Sequence, residues 1–447
     1  MYLVKIALQD VRSIESLNLD FRTATEDTRR WTLLLGENGC GKSSVLRAMA
    51  LLLAGSEALP ELLGDPDAWI RNGAKKCRIE GTLTTAAGEL RNISLEINRG
   101  DGIRQIFSNN QASLEALDNA IFKAERNYFV LAYGVSRRPT ATKARSTFPD
   151  ERSRVPRAQG LMTMFSADAQ LVSLEQWIMD LDYRQGEHSM HAVREALDKL
   201  LPGMTFSHID RKTRQIIFDT VDGKIPLSQL SDGYQNMAAW CGDLLYRITE
   251  TFPDRKNPLA TRGVLLIDEL DLHLHPVWRR RLVDFLSSIL PKFQFIATTH
   301  SALTAQQSGE DELYVIRRDS VDQSPKLIPF IGEPRKMMLH QLLMSPMFGL
   351  ESLDSVEVER ARAVVRELTF KTSPLSSAEK RRLKDMQTIL SDAPNWDIVP
   401  HYAKEQAELL RSLKHSLGTP VKGSRTKKPQ ISAEKIKSIT LRLGSEQ

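Results

Sequence analysis

The octapeptide Gly36-Glu37-Asn38-Gly39-Cys40-Gly41-Lys42-Ser43 constrains this chain more than any other stretch. It follows the apolar run Trp31-Thr32-Leu33-Leu34-Leu35 and precedes the helix-like Ser44-Val45-Leu46-Arg47-Ala48-Met49-Ala50. A strand, a loop of pattern G-x-x-x-x-G-K-S and a helix, in that order, predict a phosphate-binding loop. The glycines let successive backbone N–H groups point at one anion, and the helix start adds its positive dipole end. The expected nucleotide-binding residues are Gly36, Asn38, Gly39, Cys40, Gly41, Lys42, Ser43 and Ser44. Lys42 is expected to reach the β- and γ-phosphates of ATP, and the Ser43 hydroxyl to ligate Mg²⁺. A chance glycine turn would not need all eight positions and both flanks to agree.

A second motif lies far downstream at Gly263-Val264-Leu265-Leu266-Ile267-Asp268-Glu269. An apolar strand ending in two carboxylates supplies what a phosphate-loop enzyme needs beside its nucleotide. Asp268 is expected to hold the Mg²⁺ shell and Glu269 to polarise the attacking water. Taken alone, such a strand is common; paired with the glycine loop, it predicts an NTPase.

Composition excludes several other classes. The chain has 447 residues, 41% hydrophobic and 26% charged, enough for two or three structural units. No apolar run approaches membrane-spanning length, and the first residues lack a basic-then-apolar signal pattern. Three cysteines, one of them inside the phosphate loop, argue against a disulfide framework and for a cytoplasmic setting. The net charge of +5 is unevenly spread. Residues 411–447 carry nine Lys/Arg against two Asp/Glu, leaving 52 basic and 54 acidic residues for the rest. That tail reads either as a contact for nucleic acid or as a solvated terminus. Cys40 is expected near the surface of its loop, where a bulky reagent would obstruct the nucleotide.

Patterning orders the remaining segments. Residues 1–21 alternate as two strands joined near 10–15, and 77–85 with 90–97 read as a hairpin. Residues 127–133 form a short strand, and 143–157, charged and containing Pro149 and Pro156, read as a mobile loop. Helices are expected over 174–183 and 191–201, then a strand pair over 204–209 and 215–220. Residues 233–248 and 277–290 read as helices, 293–297 as a strand closing on Thr298-Thr299-His300-Ser301, and 312–316 with 327–330 as the end of a sheet. Helical patterns follow over 338–343, 356–368, 377–390 and 399–417. No heptads run through 102–226, so a long coiled coil is not expected.

The segment Leu230-Ser231-Asp232-Gly233-Tyr234-Gln235 sits about one helix before the Asp-Glu strand. Here the chain resembles the ABC-type ATPases, in the branch that includes SMC and RecF heads. In that family the signature Leu-Ser-Gly-Gly opens a helix whose serine and glycine close over the γ-phosphate of another subunit. The resemblance assigns that role to Ser231 and Gly233, with Asp232 and Tyr234 departing from the pattern. It makes His300 the switch histidine on the γ-phosphate, and residues 270–276 a loop crossing the dimer interface. It also places Arg12 and Ser13 against the nucleotide. His273 and His275 beside Asp268 and Asp271 lack a third convergent ligand, so the interface-loop reading is preferred to a metal site.

The combined wording of these motifs looks like the ATPases of bacterial anti-phage systems, Septu and retron-associated ones in particular. The resemblance covers residues 1–50 and 226–303. It implies a homo-oligomer, a dimer or higher, working with a separately encoded nuclease such as an HNH protein. A nuclease domain fused after the histidine loop is not expected.

These readings converge on an α/β fold, an ABC-type ATPase head with an inserted mixed lobe and a helical C-terminal region. Residues 1–135 would hold the first part of the nucleotide-binding lobe, 136–225 the insertion, and 226–333 the signature helix, Asp-Glu strand and histidine. Residues 334–418 would be helical and 419–447 a basic, disordered tail. A RecF- or SMC-like repair ATPase acting on DNA directly, or an ATP-locked scaffold with little turnover, are the alternatives. A transporter subunit is a third, disfavoured by the altered signature and the insertion.

Overall fold

The computed structural model describes residues 1–392 apart from 86–87, 124–127, 140–154, 202, 254–256, 273, 320–322, 351 and 372. The expected helix over 399–417, the basic tail and residues 143–154 of the expected loop therefore lie outside the described residues. Met1–Leu353 form one compact unit, and a second begins at Asp354.

Among the described residues, the first unit is built on a six-stranded sheet. From one edge its strands run Pro325–Pro329, Leu313–Arg318, Trp31–Leu35, Phe293–Thr298, Gly263–Ile267 and Val130–Tyr133. All neighbours are parallel except the first pair. Parallel strands must be covered on both faces, which is why these segments read as unbroken apolar runs rather than alternating ones. Leu33, Phe295 and Leu265 face a core shared with Ile178, Leu197, Leu244 and Leu286 of the helices beneath. Leu34, Ile296 and Leu266 face the opposite core, shared with Val45 and Met49 of the helix Lys42–Leu52. An antiparallel sheet of Ile14–Asp20, Tyr2–Val11, Lys76–Thr84 and Leu90–Asn98 packs onto that second core through Leu3, Ile6 and Ile79. Trp31 stacks on Phe295 with ring centroids 4.1 Å apart, locking the phosphate-loop strand to the histidine strand.

Because five of these strands are neighbours and parallel, their C-terminal ends open on one side of the sheet. Gly36, His300 and Asp268–Glu269 all follow such ends, where open α/β sheets bind their ligands.

Most expected elements occur, with these differences, and residues 156–157 of the expected loop open the helix Pro156–Met162. The two helices expected over 174–201 are one, Leu174–Leu200, because the polar stretch between them contains Gly186 but no proline to break the ladder. The single helix expected over 277–290 is two, Pro276–Arg279 and Leu282–Ile289. Gln307 holds them apart: its amide donates to Arg279 O and its Oε1 accepts from Val283 N–H at 2.9 Å. Those backbone groups are thus satisfied without a continuous helix. The strand pair after residue 204 gains a third strand, Gly223–Pro226. Helices Ile103–Asn109 and Gln111–Lys123, which no expectation covered, are fixed by Asn110, which bonds both Glu96 N–H and Glu96 O at 2.7 Å.

The second unit contributes the described helices Val356–Thr369 and Ser377–Asp392, which pack on each other. Ser355 caps the first, accepting from Val358 N–H. Among the described residues no helix is long and apolar enough to cross a membrane.

Candidate functional site

The phosphate loop takes its shape from glycine. Gly36 has φ of +147°, and a Cβ there would lie 2.2 Å from Ile316 O. Gly41 has φ of +100° and forms the N-cap of Lys42–Leu52, a conformation that L side chains adopt only under strain. Lys42 folds over the loop and donates to Gly36 O and Glu37 O, each at 2.8 Å. Burial lowers its pKa, while Cys40, Asp268 and Glu269 pull the other way. The crest at Asn38 and Gly39 is exposed, and Ser43 and Ser44 are half-buried. A cavity of ≈ 180 Å³ lies against the loop, lined by Gly36, Asn38, His300, Arg317 and Phe348 among others.

Cys40 differs from expectation. It is 2% exposed, donates to Glu37 O and borders the same cavity. A Cβ on Gly36 would lie 2.7 Å from its sulfur, so the thiol fills the space that glycine leaves. Burial raises its pKa.

Asp268 and Glu269 emerge from the neighbouring strand in a tight turn. Thr298 Oγ1 donates to Asp268 Oδ1 at 2.6 Å and accepts from Glu269 N–H at 2.7 Å. Asp268 N–H donates to Tyr133 O at 2.8 Å. Glu269 adopts φ of +50°, uncommon for a residue other than glycine. His300 follows Thr298 and Thr299. Burial lowers its pKa, Lys42 lowers it further, and Glu269, Asp271 and Asp268 oppose them, which favours the neutral imidazole. The structure therefore gathers Lys42, Asp268, Glu269 and His300 within electrostatic reach of one another.

Two family models match the chain. "AAA domain, putative AbiEii toxin, Type IV TA system" covers residues 95–305, and "AAA domain" covers residues 5–137. Together the two models match residues 5–305 to AAA domains. Septu protein PtuA of Bacillus mycoides is 26% identical over 350 residues, 78% of this chain and 45% of that protein. A second Septu protein PtuA, from Bacillus thuringiensis, is 24% identical over 70% of this chain and 76% of its own length. The Retron Ec83 probable ATPase of Escherichia coli is 31% identical over 144 residues, 32% of this chain and 27% of that protein. The chain thus spans less than half the length of the first of these relatives and about a quarter of the retron ATPase. Among solved structures, an SMC head bound to the C-winged helix domain of ScpA aligns over 74% of this chain and 98% of its own, at 16% identity and a TM-score of 0.45.

The remaining expected site residues lie as follows. Arg12 sits in the turn between the first two strands, its guanidinium 4.5 Å from the Trp69 ring centroid. Burial and Arg47 lower its pKa, and its Nε has no partner among the described residues. Ser13 Oγ lies 3.6 Å from where a Cβ on Gly41 would stand, so this turn abuts the start of the phosphate-loop helix. Ser231 is the exposed N-cap of Asp232–Thr251 and makes no side-chain capping bond; Gly233 is half-buried in the first turn. Asp232 is exposed there, where a carboxylate suits the helix dipole. Gln235 Nε2 steadies the approach by donating to Leu230 O at 2.6 Å. No described hydrogen bond or ion pair links Ser231 or Gly233 to the Lys42 group.

His273 lies outside the described residues, and His275 accepts from Val277 N–H to cap a short helix. Among the described residues no three metal-ligating groups cluster. Asp271, weighed in the sequence only beside the two histidines, accepts from Thr299 Oγ1 at 2.7 Å and Thr304 Oγ1 at 3.1 Å, bracing the backbone on either side of His300. Thr298 had no assigned role there. The adjacent threonines before His300 were its visible trace.

Proposed function

We propose that this ATPase head binds and hydrolyses Mg–ATP at a site completed by a second copy, and that ATP-driven assembly controls a separately encoded nuclease in anti-phage defence. The observation that carries the ATPase part is the convergence of Lys42, Asp268, Glu269 and His300 at the ends of three adjacent parallel strands. The defence role is supported by the similarity to Septu proteins and retron ATPases. On this reading 1–135 and 226–333 build the nucleotide lobe and 136–225 is inserted between them.

The residues present suit Mg²⁺. Ser43 and Asp268 offer hard oxygen donors, and Thr298 engages Asp268 Oδ1 while leaving Oδ2 without a described protein partner. The metal, when bound, offsets phosphate charge. Lys42 exchanges its two loop carbonyls for phosphate oxygens, a charge-assisted contact. The amides of Gly36 to Ser44 cradle the phosphates, and Arg12 and Ser13 approach the nucleotide from the neighbouring turn. Glu269 orients the attacking water and takes its proton, while neutral His300 donates a hydrogen bond to the γ-phosphate. Ser231 and Gly233, exposed at a helix start, supply the donors that close a partner's site. The basic tail 419–447 is a contact for nucleic acid or an acidic partner.

The test is ATP turnover by the purified chain, with Glu269→Gln alongside. Turnover in the wild type, and tight ATP binding without turnover in Glu269→Gln, supports the reading. A wild type that binds ATP and does not hydrolyse it replaces the enzyme with an ATP-locked scaffold.

A further inference from the structure

The Asp268–Glu269 turn is held from a side that the motifs do not mention. Arg137 follows the edge strand Val130–Tyr133, and its Nη2 donates to two consecutive carbonyls, Asp268 O and Glu269 O, the latter at 2.7 Å. Its Nε donates to Gly134 O at 3.1 Å, which fixes the plane of the guanidinium. Asp268 N–H is taken by Tyr133 O on the same strand, and Glu269 N–H by Thr298 Oγ1 on the other side. Glu269 therefore keeps its left-handed φ of +50° between two anchors, one of them a charged group. Burial lowers the pKa of Arg137 to about 10, against the pull of Asp268, Tyr133, Asp271 and Glu269, so the guanidinium stays charged at pH 7.

We propose that Arg137 is a positioning residue for Glu269, clamping the two carbonyls of the turn so that the carboxylate keeps its aim. This role rests on the ATPase reading above. It does not require Arg137 to touch ATP. A planar guanidinium with a fixed Nε contact can hold both carbonyls in one orientation, whereas a lysine ammonium presents a hydrated point charge on a flexible stem. Misaiming a catalytic group by about 1 Å lowers turnover by about 100-fold without a matching change in substrate binding.

The pocket beside Arg137 permits a specific test. It holds ≈ 350 Å³, is open on one side and is also lined by Ser136, Asn236, Trp240 and Leu272. A small cation can therefore reach the place that Arg137→Ala vacates. The experiment measures kcat and KM for ATP in the wild-type full chain, Arg137→Ala and Arg137→Lys, with and without guanidinium far below denaturing concentration. Methylammonium and urea serve as controls for charge and for shape. The expected result is a kcat about 100-fold lower in Arg137→Ala with KM little changed, partly restored by guanidinium and by neither control. Arg137→Lys is expected to stay impaired with KM little changed.

An Arg137→Ala enzyme with wild-type kcat overturns the role. So does a loss that guanidinium does not lift, or one that appears in KM rather than kcat. If Arg137→Ala does not fold, as read by circular dichroism, a wild-type kcat in Arg137→Lys overturns it and a low kcat at unchanged KM supports it. Absence of turnover in the wild type overturns the ATPase reading and this role with it; a wild type that turns over beside an unimpaired Arg137→Ala overturns this role alone.

Discussion

Thr298 and Asp268 are joined by a 2.6 Å hydrogen bond, with the threonine hydroxyl as donor, across the ends of two neighbouring strands. The same oxygen accepts from Glu269 N–H. One buried hydroxyl on the histidine strand thus orients the carboxylate assigned to Mg²⁺ and the backbone of the carboxylate assigned to water.

Thr298→Val keeps the shape and deletes the bond. It leaves Glu269 N–H without its acceptor, which costs about 1–3 kcal/mol of stability. Asp268 also loses its orienting donor, so the Mg²⁺ concentration needed for half-maximal ATP turnover should rise. Thermal unfolding and an Mg²⁺ titration check the two effects. Wild-type values in both contradict the assignment.

Much of this arrangement was legible in the sequence because it is local. The runs Trp31–Leu35 and Gly263–Ile267 are apolar at every position or nearly so, and a strand buried on both faces has to be. The glycine loop announces itself, since only glycine tolerates the backbone at Gly36 and Gly41. What stayed hidden is held by contacts distant in sequence. Gln307 splits the helix expected over 277–290, and Asp271 braces the backbone around His300. Arg137 reaches a turn more than a hundred residues away. Periodicity carries no trace of such bonds. Cys40, expected near the surface of its loop, is buried, because the pattern gives spacing and not the direction of a side chain.

Cys40 should resist modification in the folded chain. Its thiol is buried, is held by Glu37 O and has a raised pKa, so little reactive thiolate is exposed at pH 7. Mass spectrometry after maleimide treatment should find Cys40 unmodified until denaturant is added. Rapid labelling of the native chain at Cys40 contradicts this placement.

His300 gives a pH signature of definite sign. Burial and Lys42 hold its folded-state pKa below the ordinary value of 6.5. As pH falls through that ordinary value the unfolded chain takes up the proton first, so stability is lost from there down to the folded pKa. His300→Gln should remove this part of the acid sensitivity and flatten the dependence of Tm on pH in that window. A slope equal to that of wild type shows that His300 is not held neutral.

Lys42→Ala should weaken ATP binding by about 100-fold or more, roughly 3 kcal/mol, because the triphosphate loses its principal cation. Isothermal titration measures this directly. Equal affinities of the variant and the wild type remove the phosphate loop from the account.

The shared site is tested most directly by complementation. Ser231→Arg places a bulky cation at the exposed helix start and leaves the phosphate loop intact, so this variant should bind ATP and lose turnover. Lys42→Ala lacks the other half. After the two variants are shown by co-purification to assemble together, ATP turnover of the mixture is measured against each variant alone. The account predicts activity in the mixture that neither variant has, because a mixed pair contains one site with both halves intact. Wild-type turnover in Ser231→Arg alone, or co-assembled variants that remain inactive, would contradict it.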